Sequence, residues 1–313
     1  MVEFNSIKQL WKKSNQQDLS GLVPVFEDLT DIKKYVPYLQ DFNFKTSSNK
    51  AGDFKSSFKG RGIEFEEVRS YTFGDDVRDI DWRVTARKNQ PFTKLYVQEK
   101  DRQVYVWLDL SEHMRFGTKN ELKSVTAAKT AALLGWFALA NRDRFGLMLF
   151  DGNKTHVFEP KRDYENLLIV LKKIEQIAID TLYNTSESQT KEKSLQLTAK
   201  RIGKKSIVFL ISDFSFLQEG DASVVSALSF SNDVCMINVY DILEEVAPPK
   251  GEYMAEYGDS KYLLVNKNND YGKIYQNYFI AKRQILKDFC AKFDCKYRQI
   301  RTDLPIFQQL KPL

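Results

Sequence analysis

From Gln103 onward, short apolar runs alternate with longer stretches of helical period, the pattern of a doubly wound α/β domain with a mostly parallel sheet. Val104–Leu108 reads as its first strand and Glu121–Ala140 as a long buried helix. Arg144–Phe150 reads as a second strand, joined through a Gly152-Asn153 turn to an edge strand at His156–Phe158. Leu167, Leu168, Val170, Leu171 and Ile174 recur at helical spacing within Tyr164–Ile177, and the polar run Asn184–Ser194 reads as a surface connection. Ile207–Ile211 is continuously apolar and Val234–Tyr240 is so apart from Asn238, as central strands buried on both faces are. A hairpin-like segment Tyr253–Val265, a helix Tyr275–Phe293 and a strand Lys296–Ile300 complete this part.

Ahead of it the pattern is weaker. Phe4, Ile7, Leu10 and Trp11 mark one apolar helical face, and Lys45–Gly62, rich in Ser, Lys and Gly, reads as a mobile loop. Ile80–Thr85 and Phe92–Val97 alternate as strands do, predicting a small β-rich region before the α/β domain. The expected division is a helical segment over 1–36, a β-rich platform over 37–101 and the α/β domain over 102–313.

Composition narrows the function classes. Over 313 residues, 47 basic against 42 acidic side chains leave a formal charge of +5, and the basic residues are mixed with acids rather than clustered, which argues against nucleic acid as a partner. Cys235, Cys290 and Cys295 lack the spacing of a zinc site and read as reduced thiols of a cytoplasmic protein. The longest apolar run, Ala131–Ala140, falls well short of the roughly 18 residues of a membrane span, so a membrane is expected to be reached only indirectly, through a partner.

The densest chemistry lies between Gly60 and Arg87. Glu64, Glu66, Glu67, Asp75, Asp76, Asp79 and Asp81 stand among Arg61, Arg69, Arg78, Arg83 and Arg87, interleaved with Phe65, Tyr71, Phe73 and Trp82. Arginine pairs bidentately with carboxylates and stacks on rings, so the segment reads as an ion-pair lattice, a structural brace ahead of a partner platform, with Trp82 buried inside it.

These residues, as G-x-G-x-E-F, V-R-x-Y-x-x-G-D-D-V-R-x-I-D-W and T-A-R, resemble the hallmark segment of the bacterial family called domain of unknown function 58. Agreement continues through Glu99, Asp109-Leu110-Ser111, Met114, Phe116-Gly117, Lys123 and Ile211-Ser212-Asp213-Phe214. The resemblance implies a von Willebrand A-like domain, a MoxR-type AAA ATPase as partner, a client protein not identified by the sequence, and no established reaction. It makes Glu64, Arg69, Asp75, Asp76, Arg78, Asp81, Trp82 and Arg87 the hallmark positions for partner binding or structure.

In an open α/β sheet the crevice lies at the carboxyl ends of the strands, where Asp109, Ser111 and Asp213 fall. This is similar to the metal-ion-dependent adhesion site of von Willebrand A domains, D-x-S-x-S with a threonine and a further aspartate, whose oxygens suit Mg²⁺. His113 replaces the second serine, and imidazole is a poor magnesium ligand; Thr181, Thr185 and Thr190 all compete for the threonine's place. The expectation is therefore no cofactor, with Mg²⁺ the exception to test, and with Asp109 and Ser111 capping the helix that follows. Catalysis fares worse, because no G-x-S-x-G or phosphate loop occurs. A metal-dependent hydrolase using Asp109, Asp213 and Glu244 is the alternative to a non-catalytic adaptor, and Asp241 with Glu244 reads as loop carboxylates in capping roles before it reads as an acid–base pair.

Overall fold

A computed structural model describes residues 20–39, 63–72, 76–98, 102–183, 191–217, 222–257, 260–266 and 269–310. The apolar face at Phe4–Trp11, the loop Lys45–Gly62, Asp75, Thr185, Thr190 and the side chain of Glu64 lie outside the described residues. The chain divides into two compact units, Ser47–Arg102 and Met1–Thr46 with Gln103–Leu313.

In the smaller unit, β1 (Ile63–Ser70) pairs antiparallel with β2 (Phe92–Gln98), with a register shift between Phe65 and Glu67. The predicted strand Ile80–Thr85 is instead the start of a helix, Trp82–Lys88. Asp81 decides this: its carboxylate accepts from Arg83 N and Val84 N, satisfying the free donors of a first helical turn, while Asn89 at φ 52° ends it in the left-handed conformation. Trp82, expected to be buried, is 67% exposed on that helix.

The larger unit is built on six strands, β3 (Gln103–Asp109), β4 (Arg144–Phe150), β5 (Thr155–Lys161), β6 (Ile207–Ser212), β7 (Asp233–Tyr240) and, after the hairpin β8 (Gly251–Tyr257) and β9 (Ser260–Asn266), β10 (Lys296–Arg301). Their order is β10-β7-β6-β3-β4-β5, all parallel except the edge strand β5. The Gly152-Asn153 turn joins β4 to β5 as expected, with Gly152 at φ 94°, where a side chain would be strained. Among the described residues five long helices flank the sheet, α1 (Lys123–Ala140), α2 (Tyr164–Tyr183), α3 (Lys191–Arg201), α4 (Ala222–Ser231) and α5 (Asn269–Lys292). No described helix is long and apolar enough to cross a membrane.

The central strands are apolar over Val104–Leu108 and Ile207–Ile211 because each of their faces has its own core. Val104, Val106 and Leu108 of β3 pack with Ile207, Phe209 and Ile211 of β6 beneath α1 and α2. The alternate residues Tyr105, Trp107, Val208 and Leu210 face the opposite core with Leu195 of α3 and Val225 of α4. Residues 20–39 belong to the first core as well: Leu29, Ile32 and Leu39 are buried in it, and Trp136 Nε1 donates to Leu29 O at 2.9 Å.

The run Asn184–Ser194 is not simply a surface connection. From Lys191 it is the first turn of α3, and Lys191, Ser194, Leu195 and Thr198 form its buried stripe at helical spacing, continued by Ile202 just past its end. Trp107 Nε1 donates to Ser194 Oγ at 2.9 Å in the core, so small polar residues hide a buried face that hydropathy alone misses.

Candidate functional site

β3 and β6 are parallel neighbours from which the chain proceeds outward in opposite directions, making their junction the topological switch point of the sheet. Asp109 ends β3, Ser212 ends β6, and Asp213 follows, so strand register alone brings the two aspartates to one crevice. Asp109 is fully buried: Oδ1 accepts from Ser111 N at 2.9 Å and Oδ2 from Ser212 Oγ at 2.6 Å. The expected cap does not form, since Ser111 begins the turn Glu112–Met114 without a side-chain hydrogen bond to it. Ser111 Oγ is itself buried and has no hydrogen-bond partner. His113 lies half-buried in that turn.

Two lysines enter this crevice. Lys123, the first residue of α1, has a side chain only 3% exposed, and its ammonium donates to Asp213 Oδ2 at 2.9 Å and to Glu244 Oε1 at 3.0 Å. A cation at a helix N-terminus opposes the macrodipole, and burial opposes its charge. Burial pushes the Lys123 ammonium down, but Asp213 and Glu244 outweigh it and hold the group above the ordinary lysine range. For Asp213, burial pushes the carboxyl up, but Lys123, then Lys191, then the Ser215 N–H prevail and bring it to about 2. Lys191, the first described residue of α3, places Nζ 3.2 Å from Asp109 Oδ2, close enough for an ion pair but off the line of a hydrogen bond, so the buried Nζ has no hydrogen-bond acceptor. Phe116 and Phe216 flank the two ammonium groups, with ring centroids 5.8 Å and 5.0 Å away.

The network continues to the ends of β7 and β10. Asp241 accepts from Thr118 N at 3.0 Å, Thr118 Oγ1 at 2.5 Å, Thr302 Oγ1 at 2.9 Å and Leu243 N at 2.9 Å. Glu244 Oε2 accepts from Asp241 N at 3.0 Å, completing a capping box on the short helix Ile242–Glu245. Burial pushes the Asp241 carboxyl up, and the bonds from Thr118, Leu243 and Thr302 more than reverse that. Asp241 and Glu244 thus fill the capping roles, and Glu244 also anchors Lys123.

The donor set does not fit a divalent metal. Ser111 Oγ, buried and unpartnered, would suit one, but both aspartates already face ammonium groups within 3.2 Å. Unit charges about 4 Å apart repel by about 4 kcal/mol at an effective dielectric of about 20, so a divalent ion would meet about twice that from each lysine. The Thr181 hydroxyl is used within α2, where it donates to Ala178 O at 2.8 Å. Lys123 stands out in the sequence only as part of the family pattern and Lys191 not at all. The signal for Lys191 is the helical spacing of the buried stripe that it begins.

Among the hallmark positions, Arg78 pairs with Asp76 at 2.9 Å across an exposed surface, Asp81 caps the helix Trp82–Lys88, and Arg69 Nη1 donates to Thr72 Oγ1 at 2.8 Å. Arg87 lies in the last turn of that helix, where a cation complements the macrodipole. These contacts are local, and Trp82 is exposed rather than the buried centre that the brace requires.

A mostly parallel sheet with one antiparallel edge strand, with an aspartate ending the first strand and another following the fourth, is the doubly wound α/β domain that the sequence pattern predicts. Residues 67–279 match the family described as Protein of unknown function DUF58, and the chain belongs to that family. It is 32% identical over 101 residues to the uncharacterized protein Rv1480 of Mycobacterium tuberculosis and, equally, to Mb1516 of Mycobacterium bovis. That match covers 32% of this chain and 32% of each relative, so it spans about a third of their length. Similar solved structures include an aerotolerance-related membrane protein from Bacteroides fragilis, at 15% identity and TM-score 0.42 over 67% of this chain and 98% of that one. BatB from Bacteroides thetaiotaomicron matches at 13% identity and TM-score 0.36, over 62% and 98% of the two chains.

Proposed function

We propose that this chain is a non-catalytic adaptor that binds a MoxR-type AAA ATPase and a client protein during the assembly or maturation of protein complexes. The observation that carries this reading is that the acids of the strand-end crevice are committed to partners within the chain. Asp109 is held by Ser111, Ser212 and Lys191, Asp213 by Lys123 and Ser215, and Glu244 by Lys123 and Asp241. General acid–base chemistry needs a carboxyl near neutrality that reaches substrate, whereas Asp213 is buried and held at about 2. Ser111 Oγ is buried and has no base bonded to it, as an activated nucleophile would. These points weigh against the hydrolase alternative.

The surface supports binding instead. Ile274, Tyr278 and Ile285, spaced by four and seven along α5, are each more than 60% exposed, an apolar stripe of the kind protein partners cover. The ATPase itself comes from the family resemblance, a cytoplasmic site of action from the reading of Cys235, Cys290 and Cys295 as reduced thiols, and any approach to a membrane would be through that partner. The test is co-purification of the chain with a MoxR-type ATPase in its ATP and ADP states. Association that differs between the nucleotides is expected. No association in either state, or ester or phosphoester hydrolysis by the isolated chain that Asp109→Ala abolishes, would overturn the proposal.

A further inference from the structure

Asp109 and Asp213 bring two negative charges to the switch point, and Lys123 and Lys191 bring two positive charges to the same carboxylates, at 2.9 and 3.2 Å. That positive charge equals the charge of one divalent ion. The lysines also arrive from different sides: α1, which Lys123 begins, packs in the core on one face of the sheet, and α3, which Lys191 begins, packs in the core on the other. Both side chains are at least nine-tenths buried, so the charges are part of the interior rather than a solvated rim.

We infer that Lys123 and Lys191 are a built-in cation: their ammonium groups take the place, charge and bridging role of a metal at this crevice, tie the two helical layers together across the strand ends, and make the domain independent of divalent metal. A metal bound there would have to displace the lysines from Asp109 and Asp213. Removing the lysines exposes what remains, two aspartates, Glu244 and the unpartnered Ser111 Oγ, all hard oxygen ligands of the kind Mg²⁺ and Mn²⁺ take. As built, no three acids among the described residues are grouped to hold a metal ion, so an ion in the lysine variants must also draw Asp109, Asp213 and Glu244 together. The inference does not rest on the adaptor reading, since it concerns the isolated chain whatever its partner.

The test is Mn²⁺ titration of the purified full chain, followed by the loss of the free-ion paramagnetic resonance signal, with thermal melts in chelator and in Mn²⁺. The native chain is expected to bind no Mn²⁺ saturably at this site and to melt identically in both. Lys191→Ala should gain roughly tenfold or more in Mn²⁺ affinity. Adding Lys123→Ala should raise the affinity further, with Asp109→Ala abolishing the gain. Where a lysine variant melts early or fails to fold in chelator, Mn²⁺ should restore it. Saturable Mn²⁺ binding by the native chain that Asp109→Ala removes would overturn the inference. Folded lysine variants that bind no more Mn²⁺ than the native chain, or unfolded ones that Mn²⁺ does not restore, would overturn it equally.

Discussion

Lys123 and Asp213, 90 positions apart, meet across 2.9 Å with side chains only 3% and 5% exposed, joining the start of α1 to the end of β6. An ion pair this deep is costly to break singly, because the partner left behind is a buried, uncompensated charge. The same pairing makes the fold's stability depend on acid.

Asp213 falls from 3.8 to about 2 on folding, so its proton is released more readily in the native state. A depressed carboxyl contributes stability that is fully present above its unfolded value and lost as pH falls through its folded value. The expected loss is about 2 kcal/mol between pH of about 4 and about 2. Denaturant melts across that window check it, with Asp213→Asn as the variant whose stability should change less.

Trp82 is exposed on its helix, so Trp82→Ala should change stability by no more than about 0.5 kcal/mol. Chemical denaturation of the full chain decides this. A loss of several kcal/mol would show that the hallmark segment is the brace its sequence suggests.

Burial pushes the thiols of Cys235 and Cys290 up to about 12 and that of Cys295 to about 11. The thiolate is the reactive form, so a disulfide reagent near pH 8 should label the native chain far more slowly than the denatured one, which should react at all three sites. Fast labelling of Cys235 in the native chain would contradict the burial that the sheet imposes.

The sheet was legible because Val104–Leu108, Ile207–Ile211 and all of Val234–Tyr240 except Asn238 are apolar, and only strands covered on both faces need that. The strand-end position of Asp109 and Asp213 followed from the same runs. Alternation misled where a local cap outweighed it: Ile80–Thr85 alternates like a strand, yet the two bonds that Asp81 accepts make it helical. Lys191 was hidden differently. Its charge reads as solvent exposure, and only the buried Ser194, Leu195 and Thr198 at helical spacing place it inside. A lysine's partner lies in tertiary space, and no local pattern names it.

The central claim is that the crevice acids serve internal ion pairing, and a double-mutant cycle between Lys123 and Asp213 tests it most directly. Lys123→Met should cost about 3–5 kcal/mol in chemical denaturation by stranding a buried carboxylate, and adding Asp213→Leu should recover part of that loss. The predicted coupling is about 1–3 kcal/mol. A coupling near zero, with Lys123→Met no less stable than the native chain, would show that the two groups do not hold each other and would contradict the account.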